Sequence, residues 1–73
     1  MTHTWLTVAA FARLRCLQVR RARMVLAAWE TAPFAPRVRR VSIGRGPASL
    51  QVLAEDVATL YALAVDDVHQ LAA

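Results

Sequence analysis

The 73-residue chain has no lysine, one cysteine, two glycines and no long apolar run, and each shortage excludes something. A lone Cys16 cannot close an internal disulfide, so the covalent stapling of many small secreted domains is ruled out. His3 and His69 stand at opposite ends without ligand spacing around them, and no metal site is expected. No apolar stretch approaches the roughly 20 residues a membrane-spanning helix needs. The start of the chain also lacks the charged and apolar regions of a signal peptide. The expected setting is soluble and cytoplasmic, close to the nucleoid, with no membrane partner. Ser42, Ser49 and Thr59 have no histidine partner in view, and nothing assembles a nucleophile, a base and an oxyanion site. Neither an enzyme nor a cofactor is expected.

What is present is charge of one kind in one place. All nine basic side chains are arginine, and all lie between Arg13 and Arg45. Against one acid, Glu30, they give residues 1–45 a formal charge of +8, while Glu55, Asp56, Asp66 and Asp67 give the remainder −4. A cationic half of this kind is the electrostatic footprint of a polyanion binder. Arginine's planar fork suits phosphate oxygens and guanine edges better than a lysine point charge does. A chain this short forms one domain, residues 1–73, and buries only about 60% of its unfolded surface. The hydrophobic fraction is 58%, but much of it is alanine. Self-association is therefore an expected route to further buried area.

Hydrophobic spacing predicts the elements. Thr7 can cap a helix from Val8 to about Arg15, with Leu6 and Phe11 at the spacing of a hydrophobic staple. Trp5 is expected to cover the end of that helix. Cys16-Leu17-Gln18 interrupts the period. A second helix then runs from about Val19 to Ala32, with Ala22, Val25, Leu26 and Trp29 on one apolar face and Arg20, Arg21, Arg23 and Met24 on the other. Pro33 and Pro36 end it. Two helices joined by a few residues, the second with an arginine-rich outer face, form a helix-turn-helix arrangement. After Pro36 the period becomes two. Val41 and Ile43 share one strand face, and Val38, Arg40 and Ser42 share the other. Gly44-Arg45-Gly46-Pro47 supplies a turn, and Ser49–Val52 returns as a second strand. From about Leu53 an apolar stripe of Val57, Leu60, Tyr61, Ala64, Val68 and Leu71 predicts a third helix. Asp66 could instead cap a separate fourth one, and the sequence leaves both open. No internal repeat or low-complexity segment is present.

This order resembles the MerR-type winged helix-turn-helix, in its small excisionase and AlpA-like branch. The resemblance runs from Leu6 to about Leu63 and leaves residues 64–73 as a C-terminal helical extension. Leu6-Thr7-Val8 is similar to the family's opening, and Ala12 with Leu14–Gln18 to its helix end and turn. Pro36-Arg37-Val38 and Ile43-Gly44-Arg45 resemble its strand and wing, and Val52–Val57 its passage into the next helix. Cys16 stands where glycine is usual, so a wider turn or a strained Cys16 is expected. Gln18 stands where a serine commonly caps the second helix. The fold implied is mainly α with a small β-hairpin: a helix-turn-helix, a two-stranded wing and one or two C-terminal helices. The function implied is binding of double-stranded DNA, as an excisionase (a directionality factor for an integrase of a phage or mobile element), as a transcriptional regulator, or as both. An integrase partner and a dimer or filament on DNA are further implied partners.

The residues in which this function would reside follow. Arg20, Arg21 and Arg23, with Gln18 and Met24, form the candidate recognition surface, since arginine can bond both guanine acceptors in the major groove. Arg45 between two glycines can approach the minor groove or a phosphate. Arg37, Arg39 and Arg40 are expected on phosphates. Arg13 and Arg15 would act likewise, or neutralise Glu30 or Asp56. Phe11, Trp5 and Trp29 are expected in the core, Cys16 as a small buried hydrophobe, and the histidines free. The competing class is a protein-interaction module, antitoxin-like or inhibitory, whose arginine face binds an acidic protein. A basic membrane-surface helix ranks behind both.

Overall fold

In the computed structural model, which describes residues 3–42 and 44–72, the first element is a strand that the spacing of the sequence does not predict. β1 (Trp5–Thr7) runs directly into α1 (Val8–Arg15). There follow α2 (Val19–Glu30), β2 (Val38–Val41), β3 (Ser49–Leu53), α3 (Ala54–Leu60) and α4 (Val65–Ala72). The fold is mixed, about half helical, with one three-stranded antiparallel sheet in the order β1-β3-β2. The predicted two-stranded hairpin is thus part of a larger sheet, and Trp5 belongs to that sheet. A three-residue strand is too short to display a period of two, which is why spacing alone does not reveal it. Among the described residues, no helix is long and apolar enough to cross a membrane.

β3 is the central strand. Leu53 and Gln51 lie opposite Trp5 and Thr7 on one side, and Val52 and Ser49 lie opposite Val38 and Val41 on the other. Alternation along the strands turns Leu6, Leu50 and Val52 inward, where they meet the helices. Leu6, Phe11, Leu26, Val52, Val57 and Val68 are fully buried. Each such side chain contributes about 1.5–3 kcal/mol relative to exposure. Buried Ala10, Ala12, Ala22, Ala54 and Ala58 add little volume, but let the elements approach closely. Phe11 meets Trp29 edge to face at 5.3 Å. Ile43 lies outside the described residues, so its strand face is left aside; β2 itself ends at Val41.

The junctions follow from local chemistry. Thr7 Oγ1 accepts the Ala10 N–H at 3.1 Å, so one residue both closes β1 and caps α1. Leu6 and Phe11, the two ends of the staple, are both buried. α1 ends with Cys16 in the left-handed region, φ 55°. The Leu17 N–H reaches the Ala12 carbonyl at 2.8 Å and the Cys16 N–H reaches that of Arg13 at 3.3 Å, the bond pair of a Schellman turn. Cys16 is exposed, not buried as its apolar character suggests. It is strained because glycine is the residue that adopts this conformation freely.

α3 ends the same way. Ala62 has φ 55°, and the Leu63 N–H bonds the Ala58 carbonyl at 2.8 Å. This turn divides the apolar stripe that sequence spacing allows as one helix. Val57 and Val68 stay buried on either side of it, while Leu60 is 51% exposed. α4 is a separate helix that starts at Val65 and carries Asp66 and Asp67 in its first turn. The two turns meet, with the Arg15 guanidinium 3.7 Å from the Tyr61 ring centroid. α2 stops at Glu30, two residues before the predicted Ala32. Ala32 precedes Pro33, whose ring disfavours the α conformation in the residue before it.

Candidate nucleic-acid interface

α2 packs its inner face through Ala22 and Leu26, both fully buried, with Val25 and Trp29 half-buried beside them. Arg20, Arg21, Arg23 and Met24 are all exposed, Met24 by 64%. At 3.6 residues per turn, Arg20 and Met24 share the outermost stripe. Arg21 lies roughly 100° to one side of Arg20, and Arg23 roughly 60° to the other. The four side chains therefore span the whole outer surface of the helix.

The start of α2 contravenes ordinary helix electrostatics. Its first turn holds no acid, and Gln18, at the capping position, makes no side-chain cap bond. Gln18 thus does not take over the serine's capping role; its backbone carbonyl accepts the Ala22 N–H at 2.9 Å, and its side chain is exposed. Arg20 and Arg21 add positive charge where the helix dipole is already positive, an arrangement that costs about 0.3–1 kcal/mol per charge. Among the described residues, no carboxylate pairs with Arg20, Arg21 or Arg23.

The sheet arginines behave differently. Arg37 donates from Nε to Asp56 Oδ2 at 2.9 Å, and its backbone N–H donates to the same oxygen at 3.0 Å. Asp56 is held below its ordinary pKa by the Arg37 hydrogen bonds and charge, which outweigh partial burial. The same contact raises the pKa of Arg37. Arg40 grips Glu30 with two bonds, Nε–Oε2 at 2.5 Å and Nη2–Oε1 at 2.8 Å, and its pKa is raised. Expected on phosphates, Arg37 and Arg40 are therefore already engaged by carboxylates of their own chain. It is these two, not Arg13 and Arg15, that neutralise Asp56 and Glu30.

Arg39 projects from the sheet face opposite to Arg40. Its guanidinium stacks 4.2 Å from the Trp5 ring centroid, and its Nε donates to Gln51 Oε1 at 2.9 Å. Trp5 is accordingly half-buried beneath a cation rather than sealed in the core. No sequence signal announces this contact, because β1 itself escapes prediction. Arg45 is exposed at the hairpin tip, between Gly44 at φ 65° and Gly46 at φ 147°. Both angles are open to glycine and rare for other residues.

A groove of about 630 Å³ separates α2 from the hairpin, with the start of α1 closing one end. Val8, Val19, Ala27 and Leu50 give it apolar walls, and Arg23 and Arg40 give it charge. Arg23 lines this concavity from α2, and Pro47, two residues past Arg45, lines it from the hairpin.

α4 is tethered by a polar contact that the sequence does not suggest. His69 Nε2 lies 3.1 Å from Glu55 Oε1, which also accepts the Thr4 N–H at 3.4 Å. His69 is therefore engaged, whereas His3 is exposed. Burial pushes the Glu55 carboxyl up, but hydrogen bonds from its own backbone, from Thr4 and from His69 prevail and leave it below its ordinary pKa. Among the described residues, no cluster of histidine, cysteine and acidic side chains could hold a metal. No protein-family model, curated protein or solved structure matches this chain.

Proposed function

We propose that this chain is a winged helix-turn-helix protein that binds double-stranded DNA in a sequence-specific manner. α1 and α2 are the helix pair, β2 and β3 the wing, and β1 the third strand that braces the wing against α1. The observation that carries the proposal is the uncompensated positive charge at the start of α2. Arg20 and Arg21 crowd the positive end of the helix with no acid beside them, a local cost that an anionic ligand would reverse. Functional sites are where such violations of local rules are expected.

The dimensions agree. An α-helix with its side chains is roughly 10–12 Å across, and the major groove, about 12 Å wide, admits it. With α2 in that groove, Arg20 and Met24 face the base edges, and Arg21 and Arg23 face the two bordering backbones. The groove beside Arg23 then receives one strand, and Arg45 reaches the phosphates or minor groove beyond it. Arg39 supplies a further phosphate contact, whereas Arg37 and Arg40 act within the fold. Base reading by α2 gives specificity, and the outlying arginines give register and affinity.

A chain of this size acts by occupying or bending DNA, as an excisionase or as a transcriptional regulator. Selection of preferred duplexes from a random pool is the deciding experiment. Recovery of a consensus that is lost with Arg20→Ala supports the proposal, and recovery of random sequence removes it. Mapping the consensus then separates the roles: repeats in an attachment region mark an excisionase, and promoter sites a regulator.

A further inference from the structure

Away from the arginine face, one apolar side chain stands out among the described residues: Phe34 is 99% exposed. Its display is constructed. Between α2 and β2 the chain reads Ala32-Pro33-Phe34-Ala35-Pro36, and the Ala35 N–H reaches the Ala32 carbonyl at 3.4 Å. That closes a turn with Pro33 at its second position, where the ring presets φ, and Phe34 at its third. Pro36 is buried and anchors the far end. Phe34 is thus held outward on a stiff turn. Phe34 is also one wall of a hollow of about 300 Å³ between this turn and α3, bounded on the other side by Thr59, Leu60 and Asp56.

We infer that this face is where a second copy of the chain docks, about a two-fold axis, with Phe34 of each protomer seated in the hollow of the other. Knob and hollow adjoin on one surface, so the patch is complementary to itself, the condition for an isologous interface. Its charges suit the same operation. The rim carries one acid and one base, Asp56 and the Arg37 bonded to it. A two-fold rotation can set each against its opposite on the other copy. The outer face of α2, whose charged residues are all arginine, would repel a second copy of itself. An exposed aromatic anchor is the usual centre of binding energy in such a contact, and the rigid turn lowers the ordering cost of seating it. Phe34 can bury about 150–250 Å² on each side. With Leu60 and the prolines the total stays below the roughly 1,200 Å² of a standard stable interface. The dimer is therefore weak and concentration-dependent.

Sedimentation equilibrium of the full chain from about 10 μM to 1 mM, the range of weak association, tests this. The weight-average mass should rise toward twice the monomer value. Phe34→Ala, Phe34→Asp and Leu60→Gln should each hold it at the monomer value. Phe34 and Leu60 are solvent-exposed, so circular dichroism and affinity for a duplex carrying one site should stay unchanged. A wild-type chain that remains monomeric at 1 mM overturns the inference, as does a Phe34→Ala chain that associates like wild type. A loss of one-site DNA affinity in Phe34→Ala would also overturn it, by placing Phe34 in the DNA face. The inference does not depend on the proposed function. Phe34-dependent association in a chain that binds no DNA would sustain the dimer and remove only the DNA proposal.

Discussion

Salt dependence gives the sharpest quantitative test of the proposed DNA interface, because the ion pairs decide which arginines can take part. Of nine arginines, Arg37 and Arg40 are paired with carboxylates. Seven remain, and Arg20 is assigned to bases and Arg15 is stacked on Tyr61. That leaves Arg13, Arg21, Arg23, Arg39 and Arg45, or about five phosphate contacts, and at 0.9 per phosphate a log–log slope of about −4 to −5. Between 50 and 200 mM salt, affinity should therefore fall about 250- to 1,000-fold. Fluorescence anisotropy of a labelled duplex across that range reads the slope directly. Arg45→Ala and Arg23→Ala should each flatten it by about 1, and Arg37→Ala and Arg40→Ala should leave it nearly unchanged. A wild-type slope shallower than −2 would refute the interface. Equal flattening by all four variants would refute the division between free and paired arginines.

Arg20→Ala should cost about 1–3 kcal/mol on the preferred duplex and relax selectivity at one base position, read by competition with single-base variants of that site. Replacing the strained Cys16 with glycine relieves an αL penalty of about 1–2 kcal/mol, offset in part by glycine's greater unfolded freedom. Cys16→Gly should thus gain about 0.5–1 kcal/mol and raise Tm by about 2–8 °C in thermal melts, while a β-branched Cys16→Val should lower it. Asp56 and Glu55 both titrate below their ordinary values. Their stabilising contribution is complete above the unfolded pKa values, near 4, and is lost as pH falls below them. Asp56→Asn and Glu55→Gln should therefore be less stable than wild type at pH 7, with a shallower loss between about pH 5 and 2; denaturation curves parallel to wild type would contradict this.

Much of the architecture is legible in the residues. Thr7 and the Leu6–Phe11 spacing mark the start of α1, the Ala22–Leu26 stripe marks α2, and Gly44 through Pro47 mark the hairpin turn. What is illegible has physical reasons. β1 has only three residues, and α1, α2 and β2 lie between it and its partner strand. The break at Ala62 carries no glycine or proline, because alanine there accepts a left-handed conformation that its type disfavours. At the candidate interface, the outer face of α2 follows from periodicity alone. The capture of Arg37 and Arg40 does not, since Asp56 and Glu30 come within reach only once the sheet, α2 and α3 are assembled. Sequence shows how much charge there is, and tertiary contacts decide how much of it remains available.

The pairing of Trp5 with Leu53 governs the order in which the molecule can be made. A nascent chain that has left the ribosome only as far as the hairpin tip can pack α2 on Phe11 but has no β3 to pair with the strand that carries Leu6. The seat for the first strand is the central one, and it is synthesised after both helices and the hairpin turn. Loop closure over such a span comes late and cannot be replaced by local contacts. Truncation before Leu53 should therefore abolish the tertiary structure as a whole, rather than remove a dispensable tail.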